Sequence, residues 1–89
     1  MILSFGYGDK KGLPRADKVF DVRDLSHDTN SPAFDAHTQE ILDYAKKHPT
    51  QLIAVGCEKG AHRSRTIVDR VATKLRTSKF HRDWKGFKK

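Results

Sequence analysis

The stretch "LIAVGCEKGAHRSRTIVDRVATKL", residues 52–75, decides the fold. It opens with an unbroken apolar run, Leu52 to Gly56, of the kind that forms a strand buried on both faces of a parallel sheet. It closes with Ile67, Val68, Val71, Ala72 and Leu75 at helical spacing, which predicts an apolar helix stripe. Between them lies a glycine-containing loop. A strand that ends in such a loop and enters a helix is the basic unit of an α/β sheet.

Working outward, the flanking segments agree with that unit. Ile2 to Tyr7 reads as a first short strand, broken by Gly6, Gly8, Gly12 and Pro14, so that residues 8–17 form a loop. Val19 to Val22 reads as a second strand. Ser31 caps a helix whose first position is Pro32. In "AFDAHTQEILDYAKKH" the residues Phe34, Thr38, Ile41, Leu42 and Ala45 share one face, and Pro49 ends the run. The expected fold is α/β: a small single-domain sandwich, a mostly parallel sheet of three or four strands with helices packed on it. Residues 1–77 form this domain, and 78–89 form a basic aromatic tail whose first residues add a fourth strand. In such folds ligands bind beyond the C-terminal ends of the strands, so the loops starting at Gly6, Arg23 and Gly56 should meet.

The composition narrows the function. The chain has 89 residues and a net charge of +7. The charge is one-sided: residues 1–56 hold 7 basic and 8 acidic side chains, whereas residues 57–89 hold 11 basic and 3 acidic. A face of one sign attracts polyanions through phosphate contacts. The single cysteine, Cys57, excludes an intrachain disulfide and a Cys-rich zinc site. The histidines His27, His37, His48, His62 and His81 lack ligand-like spacing, so no metal and no cofactor is expected. No apolar run is long enough to span a membrane, and "MILSFGYG" has no signal-peptide pattern; the expected compartment is cytoplasmic.

The central loop suits an anion. Unpaired N–H groups at the start of the second helix point outward, and the helix dipole favours negative charge there. Gly56 and Gly60 allow close backbone approach, Arg63 offers a two-pronged donor for phosphate oxygens, and His62, Lys59 and Ser64 add donors. Cys57 lines the same loop. "CEKGAHRS" also has the Cys-x5-Arg-Ser spacing of a cysteine phosphatase loop. On that second reading Cys57 is the nucleophile, Arg63 holds the phosphate, and an upstream carboxyl among Asp21, Asp24 and Asp28, with Asp24 the choice, protonates the leaving oxygen. Gly56 stands where such phosphatases have a histidine, and the chain is shorter than their catalytic domains. In the tail, Lys79, Arg82, Lys85 and Lys88 alternate with Phe80, Trp84 and Phe87, which suits nucleic-acid contact through charge and base stacking.

These segments together resemble the C-terminal domain of the RapZ (RNase adapter protein) family. That family shows Ser-Phe-Gly-Tyr, Gly-x-Pro, Ala-Asp and Phe-Asp-Val-Arg segments, then Gly-Cys-Thr-Gly-Gly-x-His-Arg-Ser, then His-Arg-Asp. The matching residues here are Ser4 to Tyr7, Gly12, Pro14, Ala16, Asp17, Phe20 to Arg23, then Gly56, Cys57, Gly60, His62, Arg63 and Ser64, then His81 to Asp83. The resemblance implies an α/β domain with a pocket for a phosphosugar or another anion, and binding to structured RNA and to protein partners. It assigns the pocket to His62 and Arg63 with an upstream histidine, which is His27 if a short deletion is allowed. Glu58 and Lys59 stand in place of Thr-Gly. With no Walker motif and with shortened middle and final segments, a stand-alone, trimmed relative is expected. The reading is therefore a non-catalytic domain binding RNA or a phosphorylated metabolite, with the cysteine phosphatase and a protein-docking module as alternatives.

Overall fold

The computed structural model describes residues 1–8, 12–25, 28–59 and 62–83. Among them run β1 (Ile2–Gly6), β2 (Lys18–Asp21), α1 (Pro32–Lys47), β3 (Ile53–Cys57), α2 (Arg63–Leu75) and β4 (Lys79–His81). The strands form one sheet in the order β2-β3-β1-β4, and every pairing is parallel. The α/β expectation holds, with the parallel character complete rather than partial. Lys79–His81 pairs with β1, so this part of the tail belongs to the domain itself.

Burial separates centre from edge. Every residue of β1 and β3 is buried, while β2 and β4 are mainly exposed. That is why only the central strands read as continuous apolar runs. The two helices cover one face. There Ile2, Ile53, Val55 and Cys57 pack with Phe34, Ile41 and Leu42 of α1 and with Ile67, Val68 and Val71 of α2. The alternate strand residues Leu3, Phe5 and Ala54 point to the other face, where Tyr7, Ala16 and Leu52 pack on them. The result is a two-layer structure whose second sheet face meets no helix among the described residues.

Local chemistry sets the helix ends. Ser31 caps α1, its hydroxyl accepting from the Phe34 N–H at 3.2 Å, with Pro32 at the first position. Lys46 and Lys47 occupy the last turn, where the dipole favours cations. The chain leaves the helix at His48, just before Pro49. Helix α2 ends at Arg76 in the left-handed conformation, φ 54°, with its N–H donating to the Ala72 carbonyl. Its N-terminus is different: His62 takes the cap position and forms no side-chain cap bond.

Candidate anion site and its neighbours

The three loops at the C-terminal end of the sheet do meet. The β1–β3 ladder continues beyond the strands, with the Tyr7 N–H donating to the Cys57 carbonyl and the Gly8 N–H to the Glu58 carbonyl, both at 2.8 Å. The Val22 N–H donates to the Gly56 carbonyl at 2.9 Å, which ties in the β2 loop. Arg63, the first residue of α2, then crosses to that loop. Its Nη1 donates to the carbonyls of Arg23 at 2.7 Å and Leu25 at 2.8 Å.

This placement changes the reading of Arg63. The side chain is buried, and one nitrogen of its fork is fully engaged as a strut between α2 and the β2 loop. A two-pronged grip on an anion would have to use Nε and Nη2, since Nη1 is committed to the two carbonyls.

Ser64 also departs from expectation. It is fully buried and neither caps α2 nor reaches the surface. Its Oγ lies 3.2 Å from the Cys57 Sγ and donates to the Phe5 carbonyl at 3.4 Å. Cys57 is itself only 2% exposed. With the serine proton on the Phe5 carbonyl, the serine oxygen is left to accept from the neighbouring sulfur. This is a small polar clasp joining β1, β3 and α2 beneath the loop.

Gly56 lies within β3, not in the loop. A Cβ there would collide with the Phe5 ring and come within 2.7 Å of the Tyr7 ring. Its glycine is needed for close approach of two rings rather than of an anion. Glu58 and Lys59 are exposed. The Glu58 carboxylate folds over Gly8: its Oε2 lies 3.0 Å from where a Gly8 Cβ would stand. His62 is exposed at the α2 N-terminus. Asp24 is exposed in the turn after β2. Gly60 and His27 lie outside the described residues, as do Lys85 and Lys88.

The described tail cations are engaged. Lys79 Nζ binds the Asp69 carboxylate at 2.7 Å, and Arg82 Nη2 binds Asp83 at 2.9 Å. Neither projects as a lone phosphate contact.

Several further groups have functional-looking partners, and of these only Asp21 is given a role by the sequence, as a candidate acid of the phosphatase reading. Arg23 lies over Tyr7, its guanidinium carbon 3.9 Å from the ring centroid. Asp21 holds that guanidinium edge-on, with Nη2 at 2.7 Å and Nε at 3.0 and 3.1 Å. The Arg23 bond keeps the Asp21 carboxyl below its ordinary value. Burial, and then the Asp21 charge, push the Tyr7 hydroxyl up. Asp83 is buried and accepts from the Gly6 N–H at 2.8 Å. Ser4 Oγ meets His81 Nδ1 at 2.8 Å, and His81 Nε2 meets Asp69 at 2.8 Å. This resembles the order of a serine-hydrolase relay, but Ser4 is wholly buried within β1, where no substrate reaches it. The available signal was the Phe5-x-Tyr7 alternation, which puts both rings on one sheet face.

Among the described residues there is no cluster of three side chains suited to a metal, and no helix long and apolar enough to cross a membrane. No family model matches the chain, and no curated protein is significantly similar to it.

Proposed function

We propose that this chain is a non-catalytic anion-binding domain, similar to the C-terminal domain of the RapZ family, that takes a phosphate of RNA or of a phosphorylated metabolite. The observation that supports this reading is the start of α2. The helix begins at the C-terminal end of the sheet, no side-chain bond caps it, and its first turn has no acidic residue. The first N–H groups of a helix have no intrahelical partner, and the dipole adds positive potential where they point. Arg63 adds a fixed positive charge at the same place, and His62 and Lys59 flank it. The Glu58 carboxylate, folded over Gly8, is held on the β1 side of the loop.

The phosphatase reading has one observation in its favour, the 3.2 Å contact between Cys57 Sγ and Ser64 Oγ. Two observations weigh more. An attacking thiolate must reach its phosphorus, whereas Cys57 is 2% exposed. The residue at the clamp position also spends Nη1 on two backbone carbonyls.

The test is an amide NMR titration of the isotope-labelled protein with inorganic phosphate and with a phosphorylated sugar, while released phosphate is assayed. Saturable shifts at His62 to Thr66 without phosphate release support the receptor. Phosphate release that disappears in Cys57→Ser replaces it with the phosphatase.

A further inference from the structure

The opposite end of the sheet holds a cavity of its own. Where β1 and β3 begin and both helices end, a space of about 360 Å³ opens over Ile2, Ala45, Ile53, Val71 and Leu75. Its charge is one-sided: Lys46, His48 and Arg76 border it, and among the described residues no acidic one does. Arg23, Arg65, Arg70 and Arg82 each pair with a carboxylate. Lys46 and Arg76 are exposed and pair with none among the described residues. Gln51 spends its side-chain oxygen on the Tyr44 hydroxyl at 2.6 Å, which leaves its amide nitrogen to donate at the cavity. The backbone at Arg76 adds a second observation. It holds φ 54° at the end of α2, a conformation that glycine ordinarily supplies. The chain thus keeps a long cation at the cavity where a residue without a side chain would be less strained.

We infer that this cavity binds a small amphipathic anion, a carboxylate carried on an apolar chain. Ligand sites are concavities of roughly 300–1,000 Å³, mostly apolar, with a few polar groups that orient the ligand. At about 30 Å³ each, the liquid share of one water, the space admits on the order of a dozen non-hydrogen atoms. That suits one short chain and excludes a two-chain lipid. The apolar floor takes the chain, Lys46 and Arg76 take the carboxylate, and Gln51 adds a neutral donor. The ends of α1 and α2 oppose this, because a helix C-terminus carries about half a unit of negative charge. Two such ends amount to about one unit against two full positive charges, so the rim stays net positive. The last carbonyls are also partly occupied. The His48 N–H donates to Tyr44 and Ala45, and those of Arg76 and Thr77 donate to Ala72. The cavity lies at the other end of the sheet from the α2 N-terminus and does not rest on the reading given for that site.

The experiment titrates the isotope-labelled full chain with octanoate, with octylammonium and with acetate, and follows methyl and amide NMR signals. Octanoate is expected to shift Ile2, Ile53, Val71 and Leu75 saturably. Octylammonium, the same chain with the opposite charge, binds about tenfold or more weakly. Acetate, the head without the chain, leaves those methyl signals unmoved at the same concentration. Arg76→Gly removes the cation and suits the local backbone, so the fold is kept. It and Lys46→Gln each weaken octanoate about two- to fivefold. Equal affinity for octylammonium overturns the inference, because the cavity is then indifferent to charge. So does octanoate binding unchanged in both variants, or the absence of saturable shifts at millimolar octanoate. Shifts confined to the α2 N-terminus overturn it as well, as do shifts at Ile2 and Leu75 that depend on protein concentration without ligand, which reveal a second copy at this end. Inorganic phosphate, read at His62 to Thr66, tests the anion site separately, so either reading can fail alone.

Discussion

Gly56 and Phe5 face each other across β3 and β1, and the Phe5 ring occupies the space that a side chain on Gly56 would need. The Tyr7 ring closes the same space from the next position of its own face, 2.7 Å from that missing Cβ. The glycine thus lets two aromatic rings, tilted 56° to each other, pack over the centre of the sheet. Those rings in turn support Arg23 and Arg82. A residue in the interior of a strand sets the shape of a surface some distance from it.

Gly56→Ala therefore destabilises the protein by steric overlap. Gly56 is not among the residues with positive φ, so backbone strain makes no contribution. Forcing a methyl group against two packed rings costs about 1–3 kcal/mol. Urea denaturation measures the loss. The expected companion is a change in the Phe5 and Tyr7 ring signals, with helix signals little altered. An unchanged midpoint would mean that the rings swing aside freely, and the packing described above would be wrong.

The layered fold was legible in the sequence because burial makes it so. β1 and β3 are buried along their whole length, and only a strand covered on both faces reads as an unbroken apolar run. The edge strands were less legible: β2 mixes Lys18 and Asp21 with Val19 and Phe20, and β4 is three residues long. At the site, residue types were readable but directions were not. The pattern His62-Arg63-Ser64 suggests three donors facing one anion. In a helix, however, successive side chains diverge by about 100°, so Arg63 turns to the β2 loop and Ser64 to the core. Nothing in the order of residues distinguishes Gly56 as a packing glycine from Gly56 as a loop glycine; the register with Phe5 does.

Arg63 is the clearest test of strut against clamp. Arg63→Met keeps the buried stem and removes the donors, which strands the carbonyls of Arg23 and Leu25. Losing a buried charged donor of this kind costs about 1–3 kcal/mol. The strut role predicts that this loss appears in thermal denaturation without any phosphate present. Backbone amides near Arg23 and Leu25 should also exchange faster with solvent. A variant as stable as the parent would place the work of Arg63 wholly on its ligand.

Asp69 predicts an acid limb in the stability profile. Burial pushes its carboxyl up, but hydrogen bonds from Lys79 and His81 outweigh burial and hold it below the ordinary value. A carboxyl whose folded pKa lies below its unfolded one stabilises the fold above the unfolded pKa. That contribution fades as pH falls through the carboxylate range to the folded value. Asp69→Asn should thus be less stable than the parent near neutrality, and the gap should close on acidification. Denaturation midpoints from pH 7 to pH 3 measure it. A gap that stays constant would assign the difference to packing rather than to the charge.

Asp83 fastens the last strand. β4 offers only three residues to the sheet, too few to hold by ladder bonds alone. Its end is secured by the Arg82 N–H donating to the Ser4 carbonyl at 3.0 Å and by the Asp83 carboxylate accepting from the Gly6 N–H at 2.8 Å. Asp83→Ala strands a buried N–H, at a cost of about 1–3 kcal/mol, and releases Arg82 from its carboxylate. Asp83→Asn keeps an acceptor oxygen in place and should recover part of the loss. Hydrogen exchange at Gly6, read beside urea denaturation, separates the cases. Fast exchange in the alanine variant and intermediate exchange in the asparagine variant mean that the carboxylate oxygen itself closes the sheet. Equal protection in both would leave β4 held by the Ser4–His81 contact instead.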